Sequence, residues 1–230
     1  MLPTKKFSVI IVGGSVSGLT LANMLERFDI DYVLLEAHSE IAPQLGASIG
    51  LMANGNRILD QLGLYDDIED IVGYDAHLVS SREPDGRPLS QTVIAPERMS
   101  RLYGLFLLAL PLFSTTRFSD AAALQFRLRY RSLFLERSML LKVLHKNIKH
   151  KDRILTKKRV VRIDLKEDRA QVTTQDGSTF EGDIIVGADG IHSKVRQEMW
   201  RVAETERPGC FPADEESRKS PFTPGLERTV

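Results

Sequence analysis

A small-residue turn between an apolar run and an amphipathic segment constrains the fold of this chain more than any other feature. Phe7 to Val12 is a short apolar run, typical of a parallel strand buried on both faces. The segment after the turn predicts a helix, and Tyr32 to Leu35 predict a second strand that ends at Glu36. The predicted inner face of the helix holds Leu21, Ala22, Leu25 and Phe28, with Asn23, Glu26 and Arg27 outside it. The chain therefore begins with a predicted βαβ unit.

The turn itself has the spacing of a nucleotide-binding loop. Gly13, Ser15 and Gly18 stand where such loops need a tight reversal, a close approach to pyrophosphate and a close helix-strand contact. Ser15 departs from the usual glycine, although its hydroxyl is able to donate to phosphate. Glu36 lies 18 residues after Gly18, where an acid accepts hydrogen bonds from ribose hydroxyls. The alternative is an ordinary glycine turn, but the flanking strand, helix and acid favour a dinucleotide site.

Composition narrows the class of protein. The 31 basic and 31 acidic residues balance, so no overall charge favours nucleic acid as a partner. One cysteine excludes an internal disulfide framework, and the five histidines lack metal-ligand spacing, so we expect no metal site. The first strand begins within six residues of the N-terminus, which leaves no room for a signal peptide and favours a cytoplasmic location.

The region after Glu36 is less informative. Gly46 and Gly50 bracket a small apolar segment that either approaches a bound cofactor or is an ordinary loop. Asn54 is the predicted N-cap of a short helix that Gly63 closes. Residues 74–94 are predicted to be β-rich, with a turn at 84–88.

The most hydrophobic piece of the chain is 102–113, which contains Gly104 and Pro111. Its 12 residues are too few to cross a bilayer, which takes about 20. A buried segment and an interfacial patch remain open, and the second would give weak membrane association.

Regular patterns return after residue 133. Leu140, Leu144 and Ile148 predict one buried helix face, and Arg137 stands at the junction of a strand and this helix. An arginine there can donate to a phosphate, although a surface ion pair is the commoner role. A β-meander is predicted from residue 160 to the Asp176-Gly177 turn and beyond, followed by a buried strand over 184–186.

The segment after that strand carries a family resemblance. Gly187-Ala-Asp-Gly-Ile-His-Ser-Lys-Val-Arg196, with the N-terminal unit and Gly46-Ala-Ser-Ile-Gly50, resembles the single-component FAD-dependent aromatic-hydroxylase-like (group A) monooxygenases. Within them it is most similar to the fungal branch that epoxidises prenyl chains in indole-diterpene and meroterpenoid biosynthesis. The resemblance covers residues 7–101 and 133–200.

The resemblance implies an α/β fold: a Rossmann-like FAD-binding βαβ domain with an inserted β-rich region on the substrate side. It implies that Gly13, Ser15 and Gly18 hold the FAD pyrophosphate and that Glu36 binds the adenosine ribose. It further implies that Gly50 and Arg137 touch FAD, that Asp189 serves both FAD and NAD(P)H, and that Arg196 supports the Asp189 loop. No residue is assigned a catalytic role.

The implied reaction uses NAD(P)H and dioxygen to epoxidise or hydroxylate a prenylated or aromatic secondary metabolite. Family members carry a second FAD motif, Gly-Asp-Ala, in a C-terminal half that this sequence does not contain, so we expect a C-terminally truncated domain. The alternative is therefore a non-catalytic remnant that binds flavin. A nicotinamide-dependent dehydrogenase is a further reading, against which the Gly187–Arg196 motif argues.

The expected organisation is an incomplete FAD-binding monooxygenase domain over 1–200 and a disordered tail over 201–230. Within the first, 74–131 is the β-rich region and 102–124 is an expected insertion. The expected partner is a small-molecule substrate, with no nucleic acid and no transmembrane segment.

Overall fold

The computed structural model describes residues 6–44, 48–72, 78–79, 83, 85–87, 93–94, 130 and 133–209. The chain divides into two compact units, one made of residues 1–41 with 148–230 and the other of residues 42–147. Gly46, the expected insertion at 102–124 and the part of the expected tail after residue 209 lie outside the described residues.

The first unit is built on a parallel sheet of four strands in the order β11-β1-β2-β7. These strands are β1 (Ser8–Val12), β2 (Asp31–Leu35), β7 (Ile154–Leu155) and β11 (Ile184–Gly187), with helix α1 (Val16–Arg27) joining β1 to β2. The predicted βαβ unit is thus confirmed. The neighbours of β1 come from opposite ends of the sequence, since Ile10 pairs with Val33 on one side and Ile185 on the other.

A three-stranded antiparallel sheet covers one face of the parallel sheet, as the meander pattern predicted. Its strands are β8 (Val160–Leu165), β9 (Ala170–Thr174) and β10 (Thr179–Gly182). Ile10, Val12 and Leu35 of the parallel sheet share one core cluster with Val160, Ile163 and Val172 of the meander. Burying each such side chain contributes about 1.5–3 kcal/mol, so this cluster is a main source of the unit's stability.

Helix α1 packs on the parallel sheet, but its inner face differs from the prediction. Phe28 is the C-cap residue and is 76% exposed, because the helix ends before the chain would return it to the sheet. Asn23, predicted to point outward, is buried, and its amide donates to the Leu19 carbonyl at 2.8 Å. A polar side chain is tolerated inside because this local hydrogen bond satisfies it.

Helix α5 (Lys194–Glu206) completes the first unit. The expected disordered tail does not begin at residue 201, because residues 201–206 belong to this helix. The strand expected over 184–186 forms, but Ile184 is 48% exposed rather than buried. The reason is that β11 is an outer strand of the sheet in the described part of the chain.

The second unit contains an antiparallel pair of strands, β3 (Ser48–Leu51) and β6 (Leu133–Glu136), and a short pair, β4 (Leu78–Val79) and β5 (Val93–Ile94). Its helices are α2 (Ala53–Gln61), α3 (Tyr65–Val72) and α4 (Arg137–Asn147). A single-turn 3₁₀ helix, Lys151–Arg153, lies in the first unit just before β7.

Two helix predictions for the second unit have different outcomes. Leu140 and Leu144 are fully buried on α4, as their spacing predicted. Asn54 is not the N-cap, because α2 begins at Ala53 and its N-cap is Met52, two residues before the predicted cap. Gly63 follows α2 with a φ of 71°, in agreement with its predicted role at the helix end.

Candidate functional site

The glycine turn after β1 is fixed by close backbone contacts. Gly13 has a φ of 108°, and its N–H donates to the Leu35 carbonyl at 2.9 Å. A Cβ at Gly13 would lie 2.4 Å from the Ala188 carbonyl oxygen, and one at Gly18 would lie 1.9 Å from the Gly13 oxygen. Both positions therefore require glycine, the first for its conformation and packing and the second for packing alone.

Ser15 stands at the start of α1 as its N-cap residue, and its carbonyl accepts the Leu19 N–H at 2.9 Å. The first N–H groups of a helix have no carbonyl partner within the helix, and the helix dipole adds partial positive charge there. The start of α1 thus offers backbone donors suited to an anion.

Glu36 lies directly after β2, and its carboxylate reaches back to the glycine turn. It is only 8% exposed. Its Oε2 accepts the Gly14 N–H at 2.6 Å, while its Oε1 accepts the His38 N–H at 2.8 Å and lies 2.6 Å from His38 Nδ1. The carboxylate of the acid predicted to bind a ribose is therefore held beside the start of α1.

Asp189 lies on the loop after β11, and its two carboxylate oxygens have different surroundings. Its Oδ2 accepts the backbone N–H groups of Lys194 and Val195, at 2.6 and 3.1 Å, at the start of α5. Its Oδ1 is buried and has no hydrogen-bond partner among the described residues. Arg196 donates to the Ile191 carbonyl at 2.6 Å, which is the supporting contact expected of it.

These loops meet because β11, β1 and β2 are neighbouring parallel strands whose carboxyl ends share one edge of the sheet. The Ala188 N–H extends the ladder by donating to the Val12 carbonyl at 2.7 Å. The structure thus brings Gly13, Ser15, Gly18, Glu36 and Asp189 to one edge. Open α/β sheets bind their ligands outside the carboxyl ends of their strands, at the point where the strand order reverses.

Gly50 and Arg137 belong to the second unit. Gly50 pairs with Phe134 across β3 and β6, and a Cβ on it would lie 3.0 Å from the Phe134 ring. Arg137 follows Glu136, the partner of Ser48, and is the first residue of α4. Gly50 thus lies within this strand pair, and Arg137 follows it directly in the chain.

Sequence reasoning missed two residues of this edge, Gly14 and His38. Gly14 contributes an N–H rather than a special conformation, so no glycine spacing signalled it. His38 stands two residues after Glu36, and this proximity to the predicted acid was the available signal.

Taken together, the edge combines helix N-terminal donors for an anion, a held carboxylate, and a buried carboxylate oxygen to which no described residue donates. The last observation indicates that a cofactor fits this edge. A buried oxygen without a hydrogen bond is costly unless a hydroxyl or N–H of a ligand supplies the donor. The fold and the site define a nucleotide-binding α/β protein with a Rossmann-like βαβ unit.

The family model for the FAD binding domain matches residues 6–209, and the chain belongs to this family. Fungal relatives of this chain support the same family assignment. The FAD-dependent monooxygenase prhF of Penicillium brasilianum is 40% identical over 95% of this chain and 39% of that protein. The FAD-dependent monooxygenase nvfK of Aspergillus novofumigatus is 42% identical over 91% of this chain and 39% of that protein. The chain thus spans about two fifths of the length of these curated relatives.

Solved structures share the fold. The tetrameric form of 2-methyl-3-hydroxypyridine-5-carboxylic acid oxygenase matches with a TM-score of 0.61 and 24% identity, over 85% of this chain and 43% of that chain. Klebsiella pneumoniae HpxO, complexed with FAD and uric acid, matches with a TM-score of 0.57 and 23% identity, over 83% of this chain and 41% of that chain. The predicted fold class is thereby confirmed, and the family match confirms FAD as the family's cofactor.

Among the described residues, no helix is long and apolar enough to cross a membrane.

Proposed function

We propose that this chain supplies the FAD-binding part of a monooxygenase, with the adenosine and pyrophosphate of FAD held at the carboxyl edge of the parallel sheet. The observation that carries the proposal is the meeting of three features at this edge: the glycine turn, the Glu36 carboxylate and the buried Asp189 Oδ1, to which none of the described residues donates. The family match and the names of the relatives support the same reading.

Each residue has a distinct part in the proposal. The N–H groups at the start of α1 bind the pyrophosphate, Gly13 and Gly18 keep that backbone close, and Ser15 adds a hydroxyl. Glu36 accepts from the adenosine ribose. Asp189 Oδ1 accepts from a donor of the cofactor while Oδ2 keeps the loop attached to α5.

On the basis of the sequence resemblance, Gly50 and Arg137 are also proposed to touch FAD. FAD, when bound, supplies the redox chemistry, with NAD(P)H as reductant and dioxygen as the oxygen source. We propose a prenylated or aromatic secondary metabolite as the substrate, epoxidised or hydroxylated, with one oxygen atom entering the product and the other leaving as water. We also propose a cytoplasmic location with weak membrane association, and no nucleic-acid partner.

Flavin titration tests the cofactor site. The purified chain is titrated with FAD and followed by flavin absorbance and fluorescence. We expect saturable binding that Glu36→Ala weakens by about tenfold to a hundredfold, since hydrogen bonds to a charged group contribute about 1.5–3 kcal/mol. Glu40→Ala, at an exposed carboxylate four residues on, is the matched control and should leave the affinity unchanged. Equal affinities for wild type and Glu36→Ala would refute the assignment.

A second assay separates turnover from flavin binding alone, the alternative left open by the sequence. NAD(P)H oxidation, hydrogen peroxide release and oxygenated product are measured together with prenylated aromatic substrates. Product formed in proportion to NAD(P)H supports a monooxygenase. Bound flavin with peroxide but no product supports the non-catalytic alternative for this chain.

A further inference from the structure

The contacts of Glu36 nearly exhaust its capacity as an acceptor. A carboxylate has about four lone-pair sites on its two oxygens. Gly14 N–H uses one site on Oε2, and His38 uses both on Oε1, one through its backbone N–H and one through its ring. One site on Oε2 is left for a ligand.

The ring contact requires a proton on Nδ1. Because a carboxylate only accepts, the 2.6 Å approach of His38 Nδ1 to Glu36 Oε1 is a hydrogen bond only if Nδ1 carries a proton. The ring thus presents a donor to one oxygen of the carboxylate that the proposed function assigns to the ribose.

The ring is also easy to move. The His38 side chain is 61% exposed, so little packing holds it. The backbone of His38 is fixed independently of the ring, because its carbonyl accepts the Lys157 N–H at 2.9 Å and its N–H donates to Glu36. Rotation of the ring would free one site on Oε1 and leave the loop in place.

We propose that the His38 ring is a built-in stand-in for one ribose hydroxyl, which keeps Glu36 Oε1 satisfied in the absence of nucleotide and is displaced when the adenosine ribose binds. This inference rests on the proposed function, since it assumes that Glu36 binds the ribose. It adds that His38 acts through Glu36 and competes with the cofactor. The two vicinal hydroxyls of the ribose can then each reach one oxygen of the carboxylate.

The test compares variants that keep and remove the ring donor. His38→Leu removes it, whereas His38→Asn places an amide nitrogen at about the position of Nδ1. We expect His38→Leu to bind FAD about two- to tenfold more tightly than wild type, because the competing hydrogen bond is gone. His38→Asn should stay close to wild type. FMN, which lacks the adenosine, should bind all three proteins equally.

His150→Leu is the matched control, since His150 is an exposed histidine whose backbone N–H donates to Glu26 at the far end of α1. It should not change FAD binding. Weaker binding by His38→Leu would show that the ring holds the carboxylate for the nucleotide, and unchanged binding would show that it has no part; either result overturns the proposal.

An independent readout is the ¹⁵N spectrum of the His38 imidazole. Two results support the displacement: the signal of a protonated Nδ1 shifts on Glu36→Gln, and in the wild-type chain it shifts when FAD is added. A Nδ1 signal that ignores both changes overturns it. If the wild-type chain binds no FAD, the proposed function fails and the displacement step fails with it. If FAD binds and His38→Leu binds it no more tightly than wild type does, the proposed function stands and the inference alone is refuted.

Discussion

At Gly13, the cost of a side chain has a backbone part and a contact part. The positive φ of 108° disfavours any L residue, and the Ala188 carbonyl oxygen would lie 2.4 Å from a new Cβ. Gly177 offers the matched case: its φ is 83°, and nothing lies within 4 Å of a built Cβ.

We expect Gly177→Ala to lower the free energy of unfolding by about 1 kcal/mol, from backbone strain alone. Gly13→Ala should cost about 2–3 kcal/mol more, because the contact cannot relax without parting β1 from the loop after β11. Urea unfolding of both variants measures the difference. Equal losses would mean that the loop yields freely to the methyl group.

At the scale of elements, α5 is attached to the meander by one buried carboxylate. Glu198 Oε2 accepts the Ile163 N–H of β8 at 3.2 Å and the Arg201 Nε–H at 3.0 Å, and its Oε1 accepts from Lys194 at 2.8 Å. Arg201 in turn donates to the Ile163 carbonyl at 2.6 Å. Two helix side chains therefore satisfy the backbone of an outer strand, as a neighbouring strand would.

Removing this carboxylate should loosen the helix. Glu198→Ala removes the acceptor of the Ile163 N–H and of the Arg201 Nε–H, and Arg201 keeps its bond to the Ile163 carbonyl. We expect a loss of about 2–4 kcal/mol in the free energy of unfolding. Glu206→Ala, at an exposed acid of the same helix, should change it by less than about 0.5 kcal/mol. Hydrogen exchange at Ile163 gives a local readout. Undiminished protection of that amide in Glu198→Ala would contradict the attachment.

For the whole molecule, shifted titrations set the pH range of stability. Burial raises the pKa of Glu198, but hydrogen bonds from Lys194, the Ile163 N–H and Arg201 outweigh it, so the net shift is downward. The Ser8 N–H lowers the pKa of Asp183, against the opposing effect of burial. At the other end of the scale, burial and the hydrogen bond to Glu26 raise the pKa of Tyr32.

The signs of these shifts predict losses on both sides. A lowered carboxyl pKa stabilises the folded state above the unfolded value of about 4, and this contribution is lost as the pH falls through the folded pKa. The raised phenol pKa stabilises it below about pH 10 and is lost as the pH rises through the folded pKa. Urea midpoints should therefore be highest between about pH 5 and 10. Tyr32→Phe should flatten the alkaline decline specifically; a decline that persists unchanged would rule out Tyr32 as its cause.

Local pattern was enough to predict the parts of the site that lie close together in sequence. The apolar run, the glycine spacing and the acid after the second strand predicted β1, α1 and β2 because each depends on neighbours along the chain. The same held for the meander, whose two-residue alternation identifies a sheet with one buried face. The exposure of Phe28 was missed, because spacing indicates a face but not where the helix stops covering the sheet.

Local sequence pattern predicted the βαβ unit, the glycines of its turn and the acid at the end of the second strand. The folded chain was needed to show that β11 pairs with β1 and brings the Ala188 carbonyl against Gly13. It was also needed to show that Asp189 Oδ2 contacts α5 while no described residue donates to Oδ1, and that the His38 ring lies on Glu36. The physical reason is that hydrogen bonds and packing between distant segments depend on where each segment lies in space, which local spacing does not specify.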